Sequence, residues 1–201
     1  MISNYQILAI THHQTKLEEI GNFVIRDAEG EVLKGYLEQI KQQFQLDELF
    51  YLSTCNRVMY CFVTEEEVDA AFQQRFFEAI NPAINFQQAQ SHILHFKGEH
   101  ALDHLLQVSA SIDSMVVGER EILRQLRTSY DQCFDWGLTG DHLRLAFRLA
   151  IETGKEVYAK TRIGEKPVSV VSLAIQKLKA AHLPADSSSA GRDIVICAFQ
   201  A

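Results

Sequence analysis

The chain has 201 residues, 47% of them hydrophobic, and a formal net charge of −7. That length and apolar content allow one large domain, or one domain plus part of another, with a core that needs no disulfide staples. The acidic balance argues against general nucleic-acid coating. No apolar run approaches membrane-spanning length, and no basic region precedes a long apolar stretch at the N-terminus, so a cytoplasmic, reducing setting is expected.

Residues 6–11 read as a buried strand. Over 31–44 the apolar positions Val32, Leu33, Tyr36, Leu37, Ile40 and Phe44 recur at helical spacing. Two apolar runs at 48–53 and 57–63 predict strands on either side of a polar turn. Glu65-Glu66-Glu67 is expected to open a second helix, its acids near the positive helix end, and Asn81-Pro82 to stop it. A short strand follows at 93–96. The order is that of an α+β, ferredoxin-like βαββαβ domain over residues 1–97.

After Gly98 the pattern turns helical, with helices predicted over 98–111, 118–136, 139–162 and 167–182. Residues 98–162 are read as a helical part of the same domain. Residues 163–191 are read as a further helix followed by a Ser-rich linker, and 192–201 as the first strand of a new α/β domain. In the helix at 139–162, at about 100° per residue, Arg144, Arg148, Lys155 and Arg162 fall within roughly 40° of one another. Ala146, Leu149, Ala150 and Val157 are expected opposite. This stripe suits nucleic-acid phosphates, or equally a solvated face paired with Glu152 and Glu156.

The turn between the two central strands is Ser53-Thr54-Cys55-Asn56-Arg57. A cysteine there is presented to solvent, a nearby cation favours the nucleophilic thiolate, and Arg57 can grip a carboxylate through parallel hydrogen bonds. The alternative is an ordinary hairpin with a stray thiol. His104 belongs to a helix face with Ala101, Leu105 and Val108, where a neutral imidazole can move a proton for a cysteine or simply serve as a core histidine. His92, His95, His100 and His104 cluster in sequence but lack a metal-binding pattern, and none of the four cysteines forms a Cys-x-x-Cys pair. The loop at 109–119 suits either a small polar substrate or capping of the next helix by Asp113 or Ser114. Glu119, Glu121 and Gln125 follow on the first turns of that helix.

Three motifs resemble glutamyl-tRNA reductase, the first enzyme of the five-carbon route to tetrapyrroles. Ser53-Thr-Cys-Asn-Arg57 stands as in the family. His104-Leu-Leu-Gln-Val-Ser-Ala-Ser-Ile-Asp-Ser-Met-Val-Val-Gly-Glu-Arg-Glu-Ile-Leu-Arg-Gln125 is close to the family's His-Leu-x-x-Val-Ala-Ser-Gly-Leu-Asp-Ser-x-Val-x-Gly-Glu-Pro-Gln-Ile-Leu-Gly-Gln. Ile163-Gly164 with Pro167-Val-Ser-Val-Val-Ser-Leu-Ala174 is similar to the start of its linker helix. The resemblance implies that Cys55 attacks glutamyl-tRNA(Glu), forming a thioester that NADPH reduces to glutamate-1-semialdehyde. It further implies Arg57 as clamp for the glutamate side chain and His104 as a catalytic partner. Thr54, Asn56, Ser114, Glu119, Arg120, Glu121 and Gln125 would line the glutamate pocket, with Arg120 and Glu121 standing where the family has Pro and Gln. The family also implies homodimerisation through a C-terminal domain and an aminomutase as partner. Where its nucleotide-binding domain begins Gly-Ala-Gly, this sequence has Cys197-Ala198-Phe199, so NADPH binding is not expected of these residues. Met59 replaces a family acid, and Ala9-Ile-Thr-His-His-Gln-Thr-Lys-Leu17 departs from Gly-x-Asn-His-Lys-Thr-Ala-Pro-Val. A thiol hydrolase using Cys55 and His104, and a non-catalytic tRNA-binding relative, are the alternatives.

Overall fold

The computed structural model describes residues 2–26 and 28–165, so the predicted linker helix and final strand lie outside the described residues. Strand β1 (Tyr5–Thr11) is buried along its whole length. After a short helix α1 (Leu17–Ile20), helix α2 (Gly30–Gln43) leads to β2 (Glu48–Thr54) and β3 (Arg57–Val63). Helix α3 (Ala70–Ile80), the single turn α4 (Phe86–Ala89) and strand β4 (Leu94–Lys97) complete the first half. The sheet order is β2-β3-β1-β4 with every pairing antiparallel, which is the ferredoxin-like arrangement expected from the element order. Three long helices follow: α5 (Glu99–Ser109), α6 (Glu121–Asp135) and α7 (Asp141–Lys160). The described residues belong to one compact unit, Met1–Pro167.

Both faces of the sheet are covered, which explains why β1 and β3 are apolar at nearly every position rather than at alternate ones. On one face Tyr60 and Phe62 meet Phe72, Phe76 and Phe77 of α3, and Phe44 at the end of α2 packs edge-on against Phe72 and Phe76. On the other, Phe50 packs against Phe147 of α7, itself stacked on Tyr130 of α6, and Phe96 stacks on His104 of α5. Side chains alternate along a strand. Glu48, Phe50, Thr54, Arg57, Cys61 and Phe96 therefore share the face that α5, α6 and α7 cover. The Glu48 carboxylate accepts backbone N–H groups of Gly140, His142 and Leu143 at 2.8, 2.9 and 2.8 Å, fastening the positive end of α7 to the edge strand.

Three expectations need correction. Helix α3 does not open at Glu65-Glu66-Glu67; it starts at Ala70, where the shorter Asp69 side chain accepts from the Phe72 N–H at 2.7 Å. A short carboxylate reaches back to that donor more readily than a glutamate does. Neither Asp113 nor Ser114 caps α6, which begins at Glu121, several residues farther on. In α7, Ala146 and Ala150 are buried as expected, but Leu149 is exposed, because the helix turns its face containing Leu143, Phe147 and Gly154 inward. Within the basic stripe Arg144 pairs with Asp141 and Arg162 with Glu165. Glu156 pairs instead with Lys160.

Candidate functional site

Cys55 and Asn56 are the two-residue loop of the β2–β3 hairpin, with Thr54 paired to Arg57 at its neck. Neither loop residue has a positive φ, so this is not one of the primed turns that usually close such hairpins. Local hydrogen bonds hold it instead. The Thr54 hydroxyl accepts from the Asn56 N–H at 3.4 Å and lies 3.1 Å from Asn56 Oδ1 and 3.3 Å from the Arg57 carbonyl. The His12 N–H donates to the Asn56 carbonyl at 3.1 Å, tying the turn to the end of β1. The result leaves Cys55 exposed with a free thiol.

Arg57 does the opposite. Its guanidinium is directed inward, and the residue is 1% exposed. Nη2 donates to the backbone carbonyl of Asp113 and lies 3.3 Å from Asp113 Oδ2, while Nε and Nη1 are buried with no partner among the described residues. Asp113 also reaches His104 Nδ1 at 3.4 Å and His13 Nε2 at 3.4 Å. Burial, and next the Arg57 charge, push His104 down to about 4, so its ring is neutral near pH 7. The ring stacks on Phe96 with centroids 4.2 Å apart, and its Nε2 is buried with no partner among the described residues. A cleft of about 520 Å³ opens beside these groups, lined by Phe96, Lys97, His100, His104, Gln107 and Asp113 among others.

The chain reversal after α5 brings Asp113 to this point. The Ser111 N–H donates to the Val108 carbonyl at 3.0 Å and the Ile112 N–H to the Gln107 carbonyl at 2.9 Å. This is the paired bonding of a helix end closed by a left-handed residue, and Ser111 supplies that conformation with φ 57°. In the family pattern quoted above, glycine stands at this position.

The structure thus brings Arg57 and His104 together through Asp113. Asp113 and His13 escape sequence reasoning as site residues, although Asp113 directly precedes Ser114 and is the sole acid between Asp103 and Glu119. Ser114 Oγ is buried and has no partner among the described residues. Thr54 and Asn56 shape the turn. Glu119 offers its backbone carbonyl to the Tyr158 hydroxyl at 2.7 Å, and the Arg120 guanidinium lies over the Tyr158 ring at 5.5 Å. Glu121 pairs with Arg124 on α6. Among the described residues, no hydrogen bond or ion pair joins Glu119, Arg120, Glu121 or Gln125 to the hairpin, and none joins Cys55 to His104. No described group of three or more His, Cys, Asp or Glu residues is arranged to hold a metal ion.

A sequence model of the glutamyl-tRNA(Glu) reductase N-terminal domain matches residues 8–161, a span that includes the hairpin, α5 and the Asp113 loop. The chain belongs to the glutamyl-tRNA reductase family. It is 32% identical over 171 residues to a glutamyl-tRNA reductase of Streptococcus sanguinis, covering 85% of this chain and 40% of that protein. Against the Sulfurisphaera tokodaii glutamyl-tRNA reductase it is 29% identical over 179 residues, 89% of this chain and 40% of the relative. The solved structure of the Methanopyrus kandleri glutamyl-tRNA reductase superposes with a TM-score of 0.68 at 27% identity, again over 89% of this chain and 40% of that one. The chain therefore spans about 40% of the length of these relatives, corresponding to the N-terminal domain of the glutamyl-tRNA reductase family.

Proposed function

We propose that this chain carries the acyl-transfer part of glutamyl-tRNA reduction, the step that commits glutamate to tetrapyrrole synthesis. The Cys55 thiolate attacks the carbonyl carbon of the ester joining glutamate to the terminal ribose of tRNA(Glu). The sulfur–carbon bond forms, the carbon–oxygen ester bond breaks, and the ribose hydroxyl departs with the proton that began on the thiol. The product is a glutamyl thioester on Cys55. A thioester carbonyl is easier to reduce than an ester, which makes it a fitting intermediate on the way to an aldehyde.

The observation that carries this reading is an exposed thiol two residues ahead of a buried guanidinium with two unpartnered nitrogens. Buried donors without partners are rare in folded proteins. Arg57 is accordingly the group to receive the glutamate side-chain carboxylate, and Ser114, with its unpartnered hydroxyl, is proposed to line the same pocket. His104, neutral and with a free nitrogen, is the candidate to relay the proton. Thr54 and Asn56 fix the turn, and Glu119, Arg120, Glu121 and Gln125 are proposed to close the pocket when substrate orders it. Residues 1–97 and 98–162 together make the catalytic domain in this reading.

Reductases of this family depend on NADPH. Among the described residues the sheet is antiparallel throughout and has no glycine-rich turn between a strand and a following helix, so the pyrophosphate cradle of a dinucleotide is not among them. The tRNA is proposed to reach α7, where Arg148 and Lys155 have no ion-pair partner among the described residues. Homodimerisation, hand-over of the reactive aldehyde to an aminomutase, and a cytoplasmic setting are further proposals from the family; among the described residues no helix is long and apolar enough to cross a membrane.

Intact-mass measurement after incubation with glutamyl-tRNA tests the reading. One glutamyl group should appear on the parent chain and map to Cys55, and Cys55→Ser should show none. An adduct that never forms on the parent removes the proposal and favours a non-catalytic tRNA binder. Free glutamate accumulating without added hydride donor would favour a thiol hydrolase instead.

A further inference from the structure

We propose that Asp113 is a positioning residue of this site, holding Arg57 in place and setting the tautomer of His104 so that Nε2 keeps its lone pair. This inference deepens the acyl-transfer reading and rests on it for its functional meaning.

Three elements converge on one carboxylate. Oδ2 lies 3.3 Å from Arg57 Nη2 at the start of β3 and 3.4 Å from His104 Nδ1 on α5; Oδ1 lies 3.4 Å from His13 Nε2 just beyond β1. The Arg57 and His104 side chains are 2% and 6% exposed, while that of Asp113 is 19% exposed. A carboxylate accepts hydrogen bonds and does not donate them when ionised. A neutral His104 ring facing it through Nδ1 is favoured with its proton on Nδ1, which leaves Nε2 as the basic nitrogen. The stack on Phe96 fixes the plane of the ring.

Asp113 acts on Arg57 twice. Its backbone carbonyl accepts from Nη2 and its carboxylate balances the charge. A guanidinium fixed through one nitrogen keeps the other two in a set position, and these are the nitrogens without partners. The single acid thus leaves one free acceptor on His104 and two free donor nitrogens on Arg57, the hydrogen-bonding complement that a carboxylate-bearing acyl substrate and a proton in transit require. Ser111 ensures the placement, since the left-handed turn at the end of α5 is what sends Asp113 back to the sheet.

The test is 15N NMR of the histidine rings in the whole 201-residue chain without substrate, near pH 7. In the parent, His104 should show a protonated Nδ1 and an unprotonated Nε2. In Asp113→Ala the pattern should move toward the Nε2-protonated form that an unconstrained imidazole prefers. Asp113→Asn keeps the size and an acceptor oxygen while removing the charge, so it should retain the parent tautomer. With glutamyl-tRNA, it should slow adduct formation on Cys55 by roughly 10²-fold, because the imidazolium formed when Nε2 takes the proton no longer has a carboxylate charge facing it. A parent His104 already protonated at Nε2 overturns the inference, even if neither variant folds. So does an Asp113→Ala protein that keeps a folded spectrum and the parent tautomer. If the tautomer behaves as expected but Cys55 never acquires glutamate, the acyl-transfer reading fails while the Asp113–His104 relationship stands.

Discussion

Gly154 in α7 passes directly over the carbonyl of Ser109 at the end of α5: a Cβ at Gly154 would sit 2.6 Å from that oxygen and 3.2 Å from Leu123 Cδ1. The two helices meet backbone to backbone here, and this contact holds α5 against the sheet while the next residues turn toward Arg57. In an isolated helix, Gly to Ala gains about 1 kcal/mol. Against a fixed carbonyl the clash wins. Gly154→Ala should therefore destabilise the chain by about 2 kcal/mol in urea unfolding. A stabilised variant would mean that the helices are not in this close contact.

Ser111 holds a left-handed conformation with φ 57° and is fully buried. Glycine adopts that region without strain, whereas a β-branched side chain strongly resists it. Ser111→Gly should stay within about 0.5 kcal/mol of the parent, because relief of strain is offset by a more flexible unfolded chain. Ser111→Val should lose roughly 2 kcal/mol. Thermal and urea melts of the pair check this, and equal stabilities would refute the left-handed turn.

Glu48 fastens the edge strand to α7 through three backbone N–H groups. Glutamine offers one acceptor oxygen and turns an NH2 group toward donors. Glu48→Gln should cost about 3 kcal/mol, the scale of losing hydrogen bonds to a buried charged acceptor. Amide exchange should speed up first at the start of α7. Protection unchanged at Leu143 would show that the carboxylate is not the fastening.

His104 makes stability fall in mild acid. In the unfolded chain its ring takes up a proton near pH 6.5, whereas in the fold, where burial opposes the charge, it does so near 4. Between those values the unfolded chain holds the extra proton, so lowering the pH favours unfolding. From pH 7 to pH 5 this one group should remove about 2 kcal/mol of stability. His104→Gln should flatten that part of the curve. Titration of the His104 ring in the parent, followed by NMR, should give a midpoint well below 6; a midpoint at 6.5 would place the ring in water.

The sheet and its order were legible from the chain because apolar runs, helical spacing and a single hairpin turn leave few ways to arrange six elements. The same reading placed Cys55 in the hairpin loop and His104 on the buried face of a helix, since both follow from local periodicity. The opening of α3 was misplaced because a run of glutamates resembles a helix start, while the actual cap depends on the geometry of a single aspartate, Asp69. The short helices α1 and α4 went unseen because four residues carry too little pattern to register.

Residue chemistry and period thus told which side chains are buried, which are presented, and what each is able to do. Which of them meet was decided by the fold. Arg57 and Asp113 are 56 residues apart, and nothing local to either indicates the other. Their contact depends on strand alternation turning Arg57 toward the helices and on α5 ending in a left-handed turn at Ser111. It depends as well on α7 lying close enough, at Gly154, to hold that end in place. Long-range pairing of charges is set by the path of the backbone through space, and a linear pattern does not contain that path.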